Sequence, residues 1–117
     1  MTSQREAPPR GRLLVVDDEE PQRLMLSNIL GRAGFEVVTA ADGAEALERL
    51  ESRSFDLMLT DQRMPKVDGL QLLERAQRID STLPIVLMTA HGSEVVAAQA
   101  LANGAASRCV FLDIGAA

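Results

Sequence analysis

The fold is decided by residues 13–20, which read LLVVDDEE. Four apolar residues in succession are typical of a strand that is buried on both faces of a parallel sheet. The run ends abruptly in four acidic residues. A second, mostly apolar run occupies residues 55–60 and also ends in an acid, Asp61. Two buried-type strands that each end in acid indicate an α/β protein with polar groups at one edge of its sheet.

Outward from this stretch, strand-like runs alternate with helical patterns. Strands are predicted at residues 13–16, 35–40, 55–60, 83–89 and 107–112. Helices are predicted to begin at Pro21, at Asp42 as an N-cap, at Leu70 and at Ser93. Gly31 and Gly34 are predicted to end the first helix. The resulting order is β-α four times and then a last strand, which predicts a parallel sheet with helices on both faces.

The composition indicates one globular domain. The 117 residues are 46% hydrophobic and 25% charged, a balance unlike that of a disordered chain. Residues 1–11 are expected to form a flexible leader and residues 12–117 the domain. No apolar run approaches the roughly 20 residues of a membrane span, and the leader has no signal-peptide core, so a cytoplasmic protein is expected. The net charge of −5 argues against direct binding of nucleic acid.

Polar residues follow three of the predicted strands directly. Asp17 and Asp18 come after the first strand, Asp61 after the third, and Thr89 ends the fourth. Ligand sites in such sheets lie at the carboxyl ends of the strands. Carboxylates that meet there would repel each other unless a cation lay among them, and an all-oxygen site suits Mg²⁺. The residues favour metal-dependent phosphoryl chemistry over a merely acidic rim.

Three segments resemble receiver domains of two-component response regulators, the CheY-like superfamily. They are residues 15–19, VVDDE, residues 59–69, LTDQRMPKVDG, and residues 88–90, MTA. The resemblance runs from about Arg12 to Leu112 without gaps in motif spacing. It implies a doubly wound, flavodoxin-like parallel sheet of five strands in the order 2-1-3-4-5. It also implies a phosphorylation-dependent signalling switch rather than an enzyme, with at most self-catalysed phosphorylation and dephosphorylation.

The resemblance also implies a role for each residue of the motifs. Asp61 would be the phosphoacceptor, and Thr89 would hydrogen-bond the phosphoryl group and move as the switch. Mg²⁺ would be held by Asp18, Asp61 and the backbone carbonyl of Arg63, with Asp17 acting mainly through a metal-bound water. The phosphoryl group would come from a histidine kinase or a phosphotransfer protein.

The chain departs from the family pattern near its last strand. Receivers carry Lys and usually Pro there, and those positions fall on Phe111 and Leu112, while Arg108 stands where an aromatic switch residue is usual. Residues 113–117 leave little for a fifth helix, so strand 5 would be partly uncovered and could support a homodimer. The alternative function is therefore a degenerate receiver that binds partners or dimerises without phosphorylation.

Other readings of single residues remain open. A phosphohydrolase with Asp61 as nucleophile would generally need an acid where Arg63 stands. A flavin or nucleotide binder would need a Gly-rich loop after the first strand, where acids stand instead. His91 is interpreted as an exposed loop residue or a group that tunes dephosphorylation. Arg63 and Lys66 are candidates to replace part of the missing cation, and Cys109 is expected to be a buried thiol.

Overall fold

The computed structural model describes residues 10–61, 69–89 and 109–113. Within these ranges lie five strands, β1 (Arg12–Val16), β2 (Glu36–Ala40), β3 (Leu57–Asp61), β4 (Ile85–Thr89) and β5 (Cys109–Asp113). They also contain three helices, α1 (Glu20–Arg32), α2 (Gly43–Ser52) and α3 (Gly69–Ile79). Residues 1–9 of the predicted leader, which spans residues 1–11, lie outside the described residues, and so does the predicted helix at Ser93.

The strands form one parallel sheet in the order β2-β1-β3-β4-β5, which confirms the doubly wound α/β fold. The chain moves outward from β1 to β2 and then crosses back to β3 on the other side of β1. Because crossovers between parallel strands are right-handed, this reversal sends α1 to one face of the sheet and α2 to the other. The gap between β1 and β3 is the point at which such sheets bind ligands.

The two faces of the sheet are packed differently. On one face, Leu14 and Val16 of β1 join a core built with α2 and α3, in which Leu72 and Leu73 are fully buried. Alternation along the strands sends Val15 to the other face, where α1 contacts β1 and β2. None of the α1 residues, all of which the structure describes, is buried. Among the described residues, most of the core therefore lies on the α2 and α3 face.

Several predicted helix boundaries are confirmed, and one is wrong. Pro21 lies in the first turn of α1, and the Asp42 side chain caps α2 by accepting a hydrogen bond of 2.8 Å from the Glu45 backbone N–H. Gly31 lies inside α1 instead of ending it. Gly34 follows the helix with a φ of 103°, a left-handed conformation that glycine adopts without steric cost.

Strand boundaries shift from the predicted ones by one or two residues. β4 begins at Ile85 and not at Leu83, because the Leu83 backbone N–H donates to Asp80 in a turn and Pro84 has no N–H. β3 and β5 each extend one residue further than predicted, so that they include Asp61 and Asp113. Of the helices in the described ranges, none is long and apolar enough to cross a lipid bilayer.

Candidate functional site

The candidate site lies at the carboxyl edge of the sheet, where β1 and β3 are neighbours. Val16 at the end of β1 is aligned with Thr60 of β3. Asp17 follows Val16 and Asp61 follows Thr60, so both aspartates reach the same edge of the sheet. Thr60 is fully buried, and Asp61 is the last residue of β3. Two apolar strands thus carry carboxylates to one place by backbone geometry.

Three carboxylates meet at this edge. One oxygen from each of Asp17, Asp18 and Asp61 can be chosen so that all three lie within 4.8 Å of one another. Asp17 is 1% exposed, Asp61 is half-buried and Asp18 is exposed. The cluster is therefore open to solvent on the Asp18 side and closed beneath Asp17.

Asp17 is held by both its backbone and its side chain. Its N–H donates to the Ala40 carbonyl at 3.1 Å, and its carbonyl accepts a hydrogen bond of 2.6 Å from Nη1 of Arg23. Its Oδ1 atom accepts from the Glu19 N–H at 3.0 Å. Among the residues that the structure describes, no group donates to the buried Oδ2 atom. One oxygen of Asp17 is thus anchored, and the other has no such partner.

The environment of Asp17 disfavours its charged form. Burial raises the pKa of the Asp17 carboxyl above its usual range, and the nearby carboxylates of Asp61 and Asp18 raise it further. The hydrogen bond from the Glu19 N–H lowers the pKa and offsets only part of this effect. A cation placed among the three carboxylates would remove their repulsion.

The donor set fits a hard divalent cation. All three groups offer carboxylate oxygens, which Mg²⁺ and Ca²⁺ prefer, and the set contains no thiolate or imidazole that would favour Zn²⁺. The unpartnered Oδ2 of Asp17 is a buried polar atom of the kind that normally has a partner. The site therefore has both the charge and an available buried oxygen for Mg²⁺.

The neighbouring strands bring further predicted residues to the same edge. Met88 is aligned with Asp61, and Thr89 follows it as the last residue of β4. Thr89 in turn is aligned with Asp113 of β5, and Phe111 is aligned with Leu87. Three further residues considered for the site lie outside the described residues: Arg63, Lys66 and His91.

A scan against protein-family models matches the response regulator receiver domain over residues 13–110. The chain belongs to this family. The match covers the acidic edge, three of the five strands in full (β2, β3 and β4) and all of β1 except Arg12. The receiver assignment made from the motifs of residues 15–19 and 59–69 is thereby confirmed.

Relatives of this receiver domain are response regulators. The chain is 42% identical over 96 residues to the DNA-binding transcriptional regulator NtrC of Escherichia coli, which covers 82% of the chain and 20% of that protein. It is 38% identical over 96 residues to the transcriptional regulatory protein FixJ of Bradyrhizobium diazoefficiens, which covers 82% of the chain and 47% of that protein. The chain spans about a fifth of the length of NtrC and less than half of FixJ.

Solved structures agree with the receiver fold. Chemotaxis protein CheY4 of Vibrio cholerae superimposes with a TM-score of 0.80 at 32% identity, covering 92% of this chain and 87% of that one. Response regulator TrrA of Thermotoga maritima, solved in complex with Mg(2+)-BeF, superimposes with a TM-score of 0.74 at 33% identity, covering 88% and 87%.

One residue at the receiver site was not found from the sequence. Arg23 lies in the first turns of α1, and its guanidinium reaches back to the carbonyl of Asp17. A signal was available, because side chains on a helix lean toward its N-terminus and so toward the strand that precedes it. The position of Arg23, six residues after Asp17, is compatible with that contact.

Proposed function

We propose that this receiver domain accepts a phosphoryl group on Asp61 in a Mg²⁺-dependent phosphorelay. The observation that carries the proposal is the group of three carboxylates, Asp17, Asp18 and Asp61, with its buried and unpartnered Asp17 oxygen. The family match supports the same reading, because receivers act as phosphoacceptors in signalling.

The chemistry would be a single displacement at phosphorus. A carboxylate oxygen of Asp61 would form a bond to the phosphorus atom, while the bond from phosphorus to the donor's histidine nitrogen breaks and that nitrogen keeps the electron pair. The aspartyl phosphate would later return the phosphoryl group to water. Asp61 suits this role because it is half-buried at a strand end, where the backbone fixes its position but one side stays accessible.

The remaining residues would bind and orient. Asp18, Asp61 and the Arg63 backbone carbonyl would hold Mg²⁺, and Asp17 would act through a metal-bound water. Bound there, Mg²⁺ would neutralise the acidic cluster and the phosphoryl oxygens together. Thr89, at the end of the adjacent strand, would hydrogen-bond a phosphoryl oxygen and provide the switch.

The partners and cellular setting follow from the same role. The phosphoryl donor would be a histidine kinase or a phosphotransfer protein in the cytoplasm. The receiver unit is proposed to extend over residues 12–117, with residues 1–11 as a leader. No direct contact with nucleic acid is proposed for this chain, although the relatives named above include DNA-binding regulators.

Intact-protein mass spectrometry after incubation with Mg²⁺ and acetyl phosphate tests the proposal. We expect a gain equal to one phosphoryl group, absent without Mg²⁺ and absent in Asp61→Asn. The matched control is Asp80→Asn, the same chemical change in the turn between α3 and β4, which should still be phosphorylated. If neither acetyl phosphate nor a histidine kinase labels the wild-type protein, the proposal fails.

A second candidate is a degenerate receiver that acts through partners or as a homodimer without phosphorylation. It is favoured by Phe111, which lies within β5 at the position of the family's lysine. It is also favoured by the exposed apolar residues of α1, Leu24 at 57% and Ile29 at 56%. Solution scattering with the phosphate mimic beryllium fluoride separates the candidates. A change in shape or oligomeric state that depends on the mimic would count against the degenerate reading.

A further inference from the structure

The turn between β1 and α1 carries two of the three clustered carboxylates, yet little in the turn itself fixes it. Glu19 occupies the N-cap position of α1 and makes no side-chain capping bond. Asp18 is exposed. Two hydrogen bonds to Asp17 hold this turn, one from the Glu19 N–H and one from the guanidinium of Arg23, and the Arg23 backbone N–H donates to the Glu19 carbonyl at 3.1 Å.

The side-chain bond from Arg23 ties α1 to the end of β1. Its donor is charged, and the distance of 2.6 Å from Nη1 to the Asp17 carbonyl is short. Charge-assisted hydrogen bonds are about twice as strong as neutral ones. Since the Arg23 backbone is part of α1, this bond links the helix directly to the end of the strand that precedes Asp17.

We infer that Arg23 is a positioning residue, which holds the turn from Asp17 to Glu19 so that the carboxylates of Asp17 and Asp18 meet that of Asp61. The inference rests on the proposed function, because it concerns the same Mg²⁺ site. Arg23 does not touch the metal or the phosphoryl group. It acts through the Asp17 carbonyl, as outer partners of metal ligands do when they orient those ligands.

The direction of the effect on metal affinity separates positioning from simple electrostatics. A guanidinium near a cation site repels the cation, so Coulomb's law alone predicts that removing Arg23 tightens Mg²⁺ binding. Positioning predicts the opposite, because a looser turn must be ordered again each time the metal binds. A weaker affinity in a folded variant therefore identifies the positioning role.

Isothermal titration of metal-free protein with Mg²⁺ alone is the test. Arg23→Met keeps the length and the apolar stem but removes the donor, and we expect its Mg²⁺ affinity to fall about tenfold, the lower end of the range for outer-partner substitutions. Arg23→Lys keeps a charged donor and should bind Mg²⁺ more tightly than Arg23→Met. The control Arg32→Met makes the same change at an exposed site in the last turn of α1 and should leave affinity unchanged.

The outcomes distinguish a failure of the positioning role of Arg23 from a failure of the proposed function. Arg23→Met that binds Mg²⁺ as tightly as the wild type, or more tightly, overturns the inference and leaves the proposed function standing. A wild-type protein that does not bind Mg²⁺ overturns the proposed function and the inference together. Circular dichroism confirms folding, and a loss of thermal stability without a change in affinity shows a merely structural role and also overturns the inference. If Arg23→Met does not fold, Arg23→Gln, which is too short to reach the carbonyl, takes its place with the same expectations.

Discussion

Asp17 is held in a state that costs the metal-free protein stability. Its side chain is buried, one of its oxygens has no donor among the described residues, and two further carboxylates lie beside it. A buried polar atom without a partner typically costs about 1–3 kcal/mol. Such a cost at a cluster of oxygen ligands is consistent with a site that is built to be completed by a cation.

Asp17→Asn should make the metal-free protein more stable. The amide oxygen can still accept from the Glu19 N–H, while the substitution removes one buried negative charge from the cluster of three carboxylates. We expect the free energy of unfolding in EDTA at neutral pH to rise by about 1–3 kcal/mol, the penalty relieved at the buried oxygen. Thermal unfolding followed by circular dichroism measures this, since the chain has no Trp or Tyr.

The control for this change is Asp18→Asn, which neutralises an exposed member of the same cluster and should have a smaller effect. Both variants should lose stabilisation by Mg²⁺. A metal-free Asp17→Asn protein that is less stable than the wild type would show that the buried Asp17 carboxylate does not destabilise the metal-free fold.

The meeting of three carboxylates could be predicted from the sequence, but the way they are held could not. Asp17 and Asp61 directly follow or end apolar strands, and parallel strands bring such residues to one edge. The Arg23 bond and the unpartnered Asp17 oxygen depend on the angle at which α1 leaves the sheet. That angle is set by packing across the whole face, which residue spacing does not encode.

Among the elements, α1 shows how two glycines of similar appearance differ in role. Gly31 is inside the helix with open space where a Cβ would lie, whereas Gly34 has a φ of 103°. The sequence predicts that both glycines end the helix, since it does not reveal which of them takes the left-handed conformation. The Asp42 cap was predictable, since an acid at an N-cap makes its bond within four residues of chain.

Alanine at these two glycines should have opposite effects on stability. Gly31→Ala should raise the free energy of unfolding by about 0.5–1 kcal/mol, because alanine loses less conformational freedom in a helix. Gly34→Ala should lower it by about 1–2 kcal/mol, because a Cβ in the left-handed region meets the backbone. Urea unfolding of both variants by circular dichroism checks this, and effects of the same sign would show that the end of α1 is assigned wrongly.

At the scale of the whole molecule, stability is divided unequally between the two faces of the sheet. Leu73 of α3 is fully buried in the core with α2, whereas Leu24 of α1 is 57% exposed. On the α1 side, Leu57, Leu59 and Val86 of the central strands are only half-buried. The α2 and α3 face therefore provides most of the burial that holds the described part of the fold together.

Leu73→Ala and Leu24→Ala should report this asymmetry. We expect Leu73→Ala to lower the free energy of unfolding by about 2–5 kcal/mol, the range for truncating a buried leucine. Leu24→Ala, the same change on an exposed site, should stay within about 0.5 kcal/mol of the wild type. Denaturant unfolding measures both. A large loss of stability in Leu24→Ala would mean that Leu24 makes packing contacts that its exposed fraction does not indicate.

The stability of the whole domain should depend on pH differently without and with Mg²⁺. The pKa of Asp17 is raised in the folded state. At pH values just above the usual pKa of aspartate, the folded protein therefore keeps a proton on Asp17 that the unfolded chain has already lost. The folded state then binds more protons than the unfolded state, so in EDTA the contribution of Asp17 to stability falls as pH rises through this interval. Asp80, whose pKa is lowered mainly by the Thr82 side chain, contributes with the opposite sign. Subtracting the curve of Asp17→Asn isolates Asp17, because that variant keeps Asp80.

Mg²⁺ should reverse this trend. Metal binding needs ionised carboxylates, so its stabilisation of the folded state should grow as pH rises through the same interval. With free Mg²⁺ at 100 times its dissociation constant, linkage predicts about 2.7 kcal/mol at neutral pH, shrinking toward zero in acid as the cluster takes up protons. Thermal unfolding by circular dichroism across pH, with Mg²⁺ and with EDTA, measures both curves. A Mg²⁺ effect that is as large in acid as at neutral pH would show that the ion stabilises the protein somewhere other than at Asp17, Asp18 and Asp61.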